Sequence, residues 1–215
     1  MSVFFNCKMF VHLPTHSCKQ KMEKLFNYFS ILLLCIFFAL FFSRIIMLKR
    51  RGINPFMFGK TDKGDFLLIP FMLLFLYVIF ASVFSLPFPE KLIRPLVETP
   101  VLSWIGLLFS TIGIIGFGMA LSAFGNSFRV GIDDEKPDKL ISSGIFSISR
   151  NPIYVSFVFF FFGFILMKMN LASIVMMFCF FIPVVYRQIM REEKFLRSYY
   201  GDEYTEYCKK VRRFL

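Results

Sequence analysis

The strongest constraint on this chain is a set of five long apolar runs, none of which contains an aspartate or glutamate. They are Leu25–Phe42, Phe66–Leu86, Val101–Phe124, Tyr154–Met167 and Leu171–Tyr186. Apolar backbone in a bilayer meets no water, so it satisfies its N–H and C=O groups internally, as helices do. The expected fold is therefore all-α, a polytopic transmembrane bundle of about five spans. Composition agrees: 57% of residues are hydrophobic and 33 are phenylalanine, more than a soluble core of this size buries.

The runs divide the chain into a polar N-terminal segment (1–24), three transmembrane helices (25–124) and a region from 125 to 215 with its own organisation. In that region the last two runs are joined only by Lys168, Met169 and Asn170, a connection that makes them an antiparallel helical hairpin. Each run reaches about 22 Å, against a hydrocarbon core of about 30 Å. The helices must extend past their apolar limits, or the hairpin must sit shallow. Either way, the segments before Tyr154 and after Tyr186 meet at one membrane surface. In the third run Gly106, Gly113, Gly116 and Gly118 are small residues that permit close helix contact.

A net charge of +11 would point to nucleic acid in a soluble protein. Here the cations flank the apolar runs, which fits anchoring at anionic headgroups, and no nucleic-acid partner is expected. With five spans, the loops 44–65 and 125–153 and the tail from 187 share one side. That side holds most of the cations, including Lys49, Arg50, Arg51, Lys60, Lys63, Arg129, Lys136, Lys139 and Arg150. The bias puts the C-terminus in the cytoplasm, although Lys8, Lys19, Lys21 and Lys24 oppose it. The first run is long enough to remain a span rather than a cleaved leader.

Much chemistry is excluded. The five cysteines are odd in number, scattered and include no CxxC, so no disulfide framework is expected. Cys7, His12, His16 and Cys18 are potential zinc ligands, but their spacing matches no tight signature, and no metal is expected. No histidine follows His16, which removes Ser-His-Asp hydrolysis and His-ligated metal catalysis. Carboxylate-free spans argue against ion-coupled transport. Neither GxGxxG nor GxxxxGK[ST] occurs.

Polar residues outside the spans concentrate in two stretches that the hairpin brings together. The first carries the acidic Asp133-Asp134-Glu135, then Leu140, Gly144 and Arg150-Asn151-Pro152-Ile153-Tyr154. The second carries Arg187, Arg191, Glu192, Glu193, Leu196, Gly201, Tyr204 and Tyr207. Structural readings exist for each piece. Asn151 suits an N-cap and Pro152 the first helical position. Glu193 and Arg197 are an i,i+4 pair. The tyrosines suit an interfacial belt, and Arg150 a positive-inside anchor.

Taken together, the order L-x3-G-x5-R-N-P-x-Y, an apolar hairpin, then E-E-x2-L-x4-G-x2-Y-x2-Y resembles the isoprenylcysteine carboxyl methyltransferase family and related membrane phospholipid methyltransferases, over about residues 120–213. Where that family often has G-P-Y and R-H-P, this chain has Gly144-Ile145-Phe146 and Arg150-Asn151-Pro152. Asparagine keeps hydrogen-bonding capacity but cannot carry a proton.

The resemblance implies S-adenosylmethionine as cofactor, bound in a cytoplasmic cap, and a membrane lipid or lipidated acceptor reached from the bilayer. The sulfonium already activates the methyl group, so transfer needs positioning more than acid–base help. On this reading Leu140, Gly144, Asn151, Pro152, Tyr154 and Glu192 line the cofactor pocket, with Glu192 accepting from the ribose or the methionine ammonium. The free amides at the start of the helix from Pro152 suit the cofactor's carboxylate. Arg150 and Arg187, with Arg191 behind them, are the candidates for an anionic acceptor group. Glu193 is the further candidate to take a proton from an amine acceptor. Two alternatives remain: an NADPH-dependent sterol or enone reductase using the cations from Lys209 to Arg213, and a non-catalytic membrane protein that keeps the fold.

Overall fold

A computed structural model describes residues 16–56, 68–84, 86–128 and 139–215, and these are mainly helical with no β-strand among them. The acidic stretch 133–135 and the Cys7 and His12 positions lie outside the described residues. The helices are α1 (His16–Arg50), α2 (Leu68–Phe84), the single turn α3 (Glu90–Ile93), α4 (Pro100–Phe124), α5 (Pro152–Met167), α6 (Leu171–Val175), α7 (Ile182–Tyr200) and α8 (Asp202–Lys210). A π-helical segment, Met176–Phe181, joins α6 to α7 without a break.

Five apolar helices are thus present where five runs predict them. Three have the length and composition to cross a membrane: Gln20–Arg50, Pro100–Ser127 and Leu171–Tyr200. Ile69–Phe84 and Pro152–Met167 are shorter. α1 starts nine residues before Leu25 and so takes in part of the polar 1–24 segment.

The hairpin resolves its length problem asymmetrically. α5 stops at Met167, whereas the helix from Leu171 runs on to Tyr200. At about 1.5 Å per residue that helix is about 45 Å long, and its last turns leave a hydrocarbon layer of about 30 Å. The π segment has a local cause in Pro183. Its ring would clash with the carbonyl of Cys179 in a regular α-helix and its nitrogen donates nothing; a wider turn just before it relieves both.

The tight helix pair is α4 with α5, not α5 with its hairpin partner. A Cβ built on Gly113 would lie 2.6 Å from the Phe160 nitrogen and 2.7 Å from the Ser156 carbonyl oxygen. Gly106 meets Met167 and Gly163 in the same antiparallel register, and Ser110 Oγ donates to the Phe160 carbonyl at 3.1 Å. The third run's glycines therefore serve this pair, as small residues do where no hydrophobic force separates helix from lipid.

Elsewhere the gap between helices is filled by rings. Phe37 of α1 stacks on Phe117 (5.0 Å) and Phe160 (4.7 Å), and Phe161 of α5 meets Phe75 of α2 (4.6 Å) and Phe181 (4.9 Å) edge-on. These rings are almost wholly buried, while Phe42, Phe84, Phe178 and Phe180 face outward. The phenylalanine excess thus serves an aromatic interior as well as a lipid-facing exterior.

At the end of the bundle away from the polar stretches, Asn170 is fully buried and uses both ends of its amide. Its oxygen accepts from the Ser173 N–H (2.9 Å) and its nitrogen donates to the Lys168 carbonyl (2.8 Å). Leu96 N–H donates to the Met169 carbonyl at 2.7 Å. This capped corner fixes where α5 ends and α6 begins, and so sets the register at the other end.

Candidate functional site

That other end is built where α5 starts, α7 leaves the apolar layer and the C-terminal tail returns. Glu193, on α7, is 5% exposed, an unusual place for a carboxylate. Burial without partners would cost several kcal/mol (about that order for an ion). The site supplies partners from three segments. Arg213 in the tail places Nε 3.1 Å from both carboxylate oxygens and Nη2 2.9 Å from Oε2. Arg150 Nη2 lies 3.2 Å from Oε1, and Asn151 Nδ2 donates to Oε1 at 3.2 Å. The Glu193 hydrogen bond is also the first cause that holds the Arg213 guanidinium above its ordinary range.

The tail is tied in by its backbone as well. Arg150 N–H donates to the Arg212 carbonyl (3.0 Å), and Asn151 Nδ2 and Ser149 Oγ donate to the Arg213 carbonyl at 3.2 and 3.3 Å. Asn151 occupies the N-cap position of α5, but its side chain makes no capping bond there. Its Nδ2 is directed to Glu193 and the tail, and the Asn151 N–H goes to Ser149 Oγ at 3.1 Å. The capping expectation for Asn151 is corrected accordingly. So is the i,i+4 pairing of Glu193 with Arg197: Glu193 faces inward to Arg150 and Arg213, while Arg197 is exposed.

Glu192, the neighbouring residue on α7, points to a different partner set. Tyr154 OH donates to its Oε1 at 2.5 Å and Gln188 Nε2 at 3.0 Å; Arg191 Nη1 donates in turn to Gln188 Oε1 at 3.2 Å. Glu192 is half-buried. The two adjacent carboxylates are therefore unlike: Glu193 is sealed into a frame, and Glu192 stands at its edge beside the first turn of α5. The first-turn amides of that helix have no intrahelical acceptors and carry its positive dipole end. A half-buried carboxylate that accepts, with a phenol and oriented amides that donate, forms a set suited to a zwitterion such as an amino-acid moiety.

The remaining expected residues are distributed around this centre. Pro152 is buried at the first helical position. Gly144, at φ +63°, opens the 3-10 turn Gly144–Ser147. Leu140 packs against the small apolar cluster of Tyr204, Tyr207 and Val211. Arg187 is exposed on α7, six residues before Glu193 and about 240° around the helix from it. Phe146, in place of a tyrosine, is buried against Phe124 (4.7 Å), and its carbonyl accepts from Tyr207 OH at 2.6 Å.

Sequence reasoning missed Arg213 as the main partner of Glu193, Ser149 and Gln188. Gln188 lies one helical turn before Glu192, which is a readable signal. Arg213 is not readable from spacing, since only the return of the tail brings it to Glu193.

Burial pushes the Tyr207 phenol up to about 12, from about 10 in an unfolded chain. Its neutral form is favoured on folding, so its contribution is fully present below about pH 10 and is lost as pH climbs towards 12. Burial raises Tyr204 as well. The midpoint of thermal unfolding in detergent should therefore fall between pH 9 and pH 11.5, and fall less for Tyr207→Phe than for the parent. Equal slopes would remove Tyr207 from the account.

Residues 99–203 match the phospholipid methyltransferase family. Among curated relatives, the probable protein-S-isoprenylcysteine O-methyltransferase of Oryza sativa subsp. indica is 35% identical over 133 residues, covering 59% of this chain and 65% of that protein. The protein-S-isoprenylcysteine O-methyltransferase of Saccharomyces cerevisiae is 31% identical over 134 residues, covering 59% and 54%. Protein-S-isoprenylcysteine O-methyltransferase B of Arabidopsis thaliana is 32% identical over 117 residues, covering 50% and 57%. The chain thus spans less than two thirds of the length of these relatives. The family match takes in α4, the close α4–α5 pair and both adjacent carboxylates; together with these relatives and the three helices able to cross a membrane, it supports an isoprenylcysteine- and phospholipid-methyltransferase-like membrane protein.

Proposed function

We propose that the protein transfers a methyl group from S-adenosylmethionine to a lipid-borne acceptor, an isoprenylcysteine-type carboxylate or a similar group, at the cytoplasmic face of a membrane. The observation that carries this reading is the contrast between the two neighbouring carboxylates. Glu193 ties together α7, the start of α5 and the tail, and so holds Glu192 and Tyr154 together at the mouth of the hairpin. When bound, the cofactor supplies an electrophilic methyl group. The chain supplies orientation: Glu192 and Tyr154 take its cationic and hydroxyl groups, and the first-turn amides of α5 its carboxylate.

A carboxylate acceptor is already ionised at neutral pH and needs no base, which suits a site without histidine. For an amine acceptor Glu192 is the nearer proton acceptor, because Glu193 is enclosed by two arginines. Arg187, exposed on α7 at the same surface, remains the candidate to meet an anionic acceptor. The positive-inside bias supplies the cytoplasmic orientation. A reductase reading is weakened by the tail: Arg213, one of the cations that would meet a 2′-phosphate, is engaged by Glu193.

The test is calorimetric binding of S-adenosylhomocysteine and NADPH to detergent-purified protein. We expect binding of S-adenosylhomocysteine alone, and loss of it by at least about tenfold in Glu192→Ala. A folded Glu192→Ala protein that binds as the parent does would overturn the assignment of Glu192. Binding of NADPH alone would overturn the methyltransferase reading.

A further inference from the structure

The family match ends at residue 203, yet the carboxylate frame is completed by residues 212 and 213. We infer that the C-terminal tail is a latch on the cofactor-binding segment and that Arg213 is a positioning residue for the start of α5. This deepens the proposed function and rests on it for what the pocket binds.

The geometry makes the tail and the start of α5 one unit. Three bonds cross between them, Arg150 N–H to the Arg212 carbonyl and Asn151 Nδ2 and Ser149 Oγ to the Arg213 carbonyl, and the Arg213 guanidinium meets Arg150 and Asn151 on the one Glu193 carboxylate. Each strand of this arrangement needs another. Asn151 Nδ2 is shared between Glu193 Oε1 and the Arg213 carbonyl, so its position depends on both. Arg213 spans both oxygens of Glu193, which fixes the rotation of the carboxylate and so the direction in which Oε1 accepts from Arg150 and Asn151.

Asn151 immediately precedes α5, and Tyr154 sits in that helix's first turn, where it meets Glu192. The consequence reaches the pocket without Arg213 touching its contents: a looser Glu193 lets residues 149–151 shift, and Tyr154 with them. The apolar seat of the tail supports the same arrangement, since Val211 is buried with Tyr204 and Tyr207 one residue before the latch begins.

The Arg213 side chain is 34% exposed while that of Glu193 is 6% exposed, so Arg213→Ala opens no core cavity and is a fair probe. The experiment compares the full-length parent with Arg213→Ala and Arg213→Lys in detergent, well below their unfolding midpoints. It measures the affinity for S-adenosylhomocysteine and the amide hydrogen exchange of residues 149–155. Arg213→Ala should bind about tenfold more weakly and exchange faster at Arg150 and Asn151, with helices α2 and α4 unchanged. Arg213→Lys keeps the charge but loses the fork and should recover part of both.

Unchanged exchange at 149–151 in Arg213→Ala would overturn the latch. Faster exchange there with parent-like affinity would overturn the positioning role. A parent that fails to bind S-adenosylhomocysteine would instead overturn the proposed function, and the exchange measurement would still decide the latch.

Discussion

Glu193→Ala is expected to lower stability by about 3–5 kcal/mol, the cost of leaving a buried ion-pair partner uncompensated. The substitution strands Arg150, whose side chain is 10% exposed, and removes the acceptor of Asn151 Nδ2. The Arg213 arm is better solvated and contributes least of that cost. Arg150 already has a buried Nε without a hydrogen-bond partner, so its environment has little capacity to absorb a further loss. Thermal unfolding in detergent, followed by circular dichroism at one scan rate, should show the largest fall for Glu193→Ala. Lys194→Ala, at the exposed next position, serves as the reference. A fall no greater than that reference would show that the carboxylate does not hold the frame. The triple replacement of Glu193, Arg150 and Arg213 by apolar residues should cost less than Glu193→Ala alone, because it leaves no charge buried without a partner.

The architecture was legible because bilayer physics is local: a carboxylate-free apolar run predicts a helix from its own residues, and an apolar helix lies in each of the five runs among the described residues. The meeting of 150–154 with 192–193 was legible for the same reason, since Lys168-Met169-Asn170 leaves room for nothing but an antiparallel return. What spacing cannot carry is partner choice between segments far apart in sequence. Arg197, one turn from Glu193, was the local expectation; the partner is Arg213, which the turn at Gly201 and the short helix α8 bring back across the site. Asn151 shows the same limit from the other side. Its position before Pro152 reads as a cap, but its Nδ2 is drawn to the buried Glu193 carboxylate and the Arg213 carbonyl, and its side chain makes no capping bond. The choice of α4 as the close neighbour of α5 was half-legible: the glycines marked a contact face on α4 without naming what lay against it.

That contact gives the second large effect. Gly163→Ala is expected to cost about 3 kcal/mol, the upper end of the overpacking range, although it adds a single methyl group. The new Cβ would collide with Ser110 Oγ and the Gly106 carbonyl oxygen, and would lie 2.5 Å from the Ser110 nitrogen. Two of the three obstacles are backbone of the facing helix, so a rotamer change cannot relieve them and α4 and α5 must move apart. Separation would lengthen the Ser110 Oγ bond to the Phe160 carbonyl and loosen the Phe37–Phe160 stack behind it. Gly118→Ala is the control: its Cβ would meet only Leu40 Cδ1, at 3.9 Å, an ordinary contact. There the gain in helix propensity should dominate, and the substitution should stabilise by about 0.5–1 kcal/mol. Unfolding midpoints that move in opposite directions for the two substitutions would support a backbone-to-backbone seam between α4 and α5. Equal midpoints would mean that the two helices are held apart by their phenylalanines, and that the glycines serve only to lighten the span.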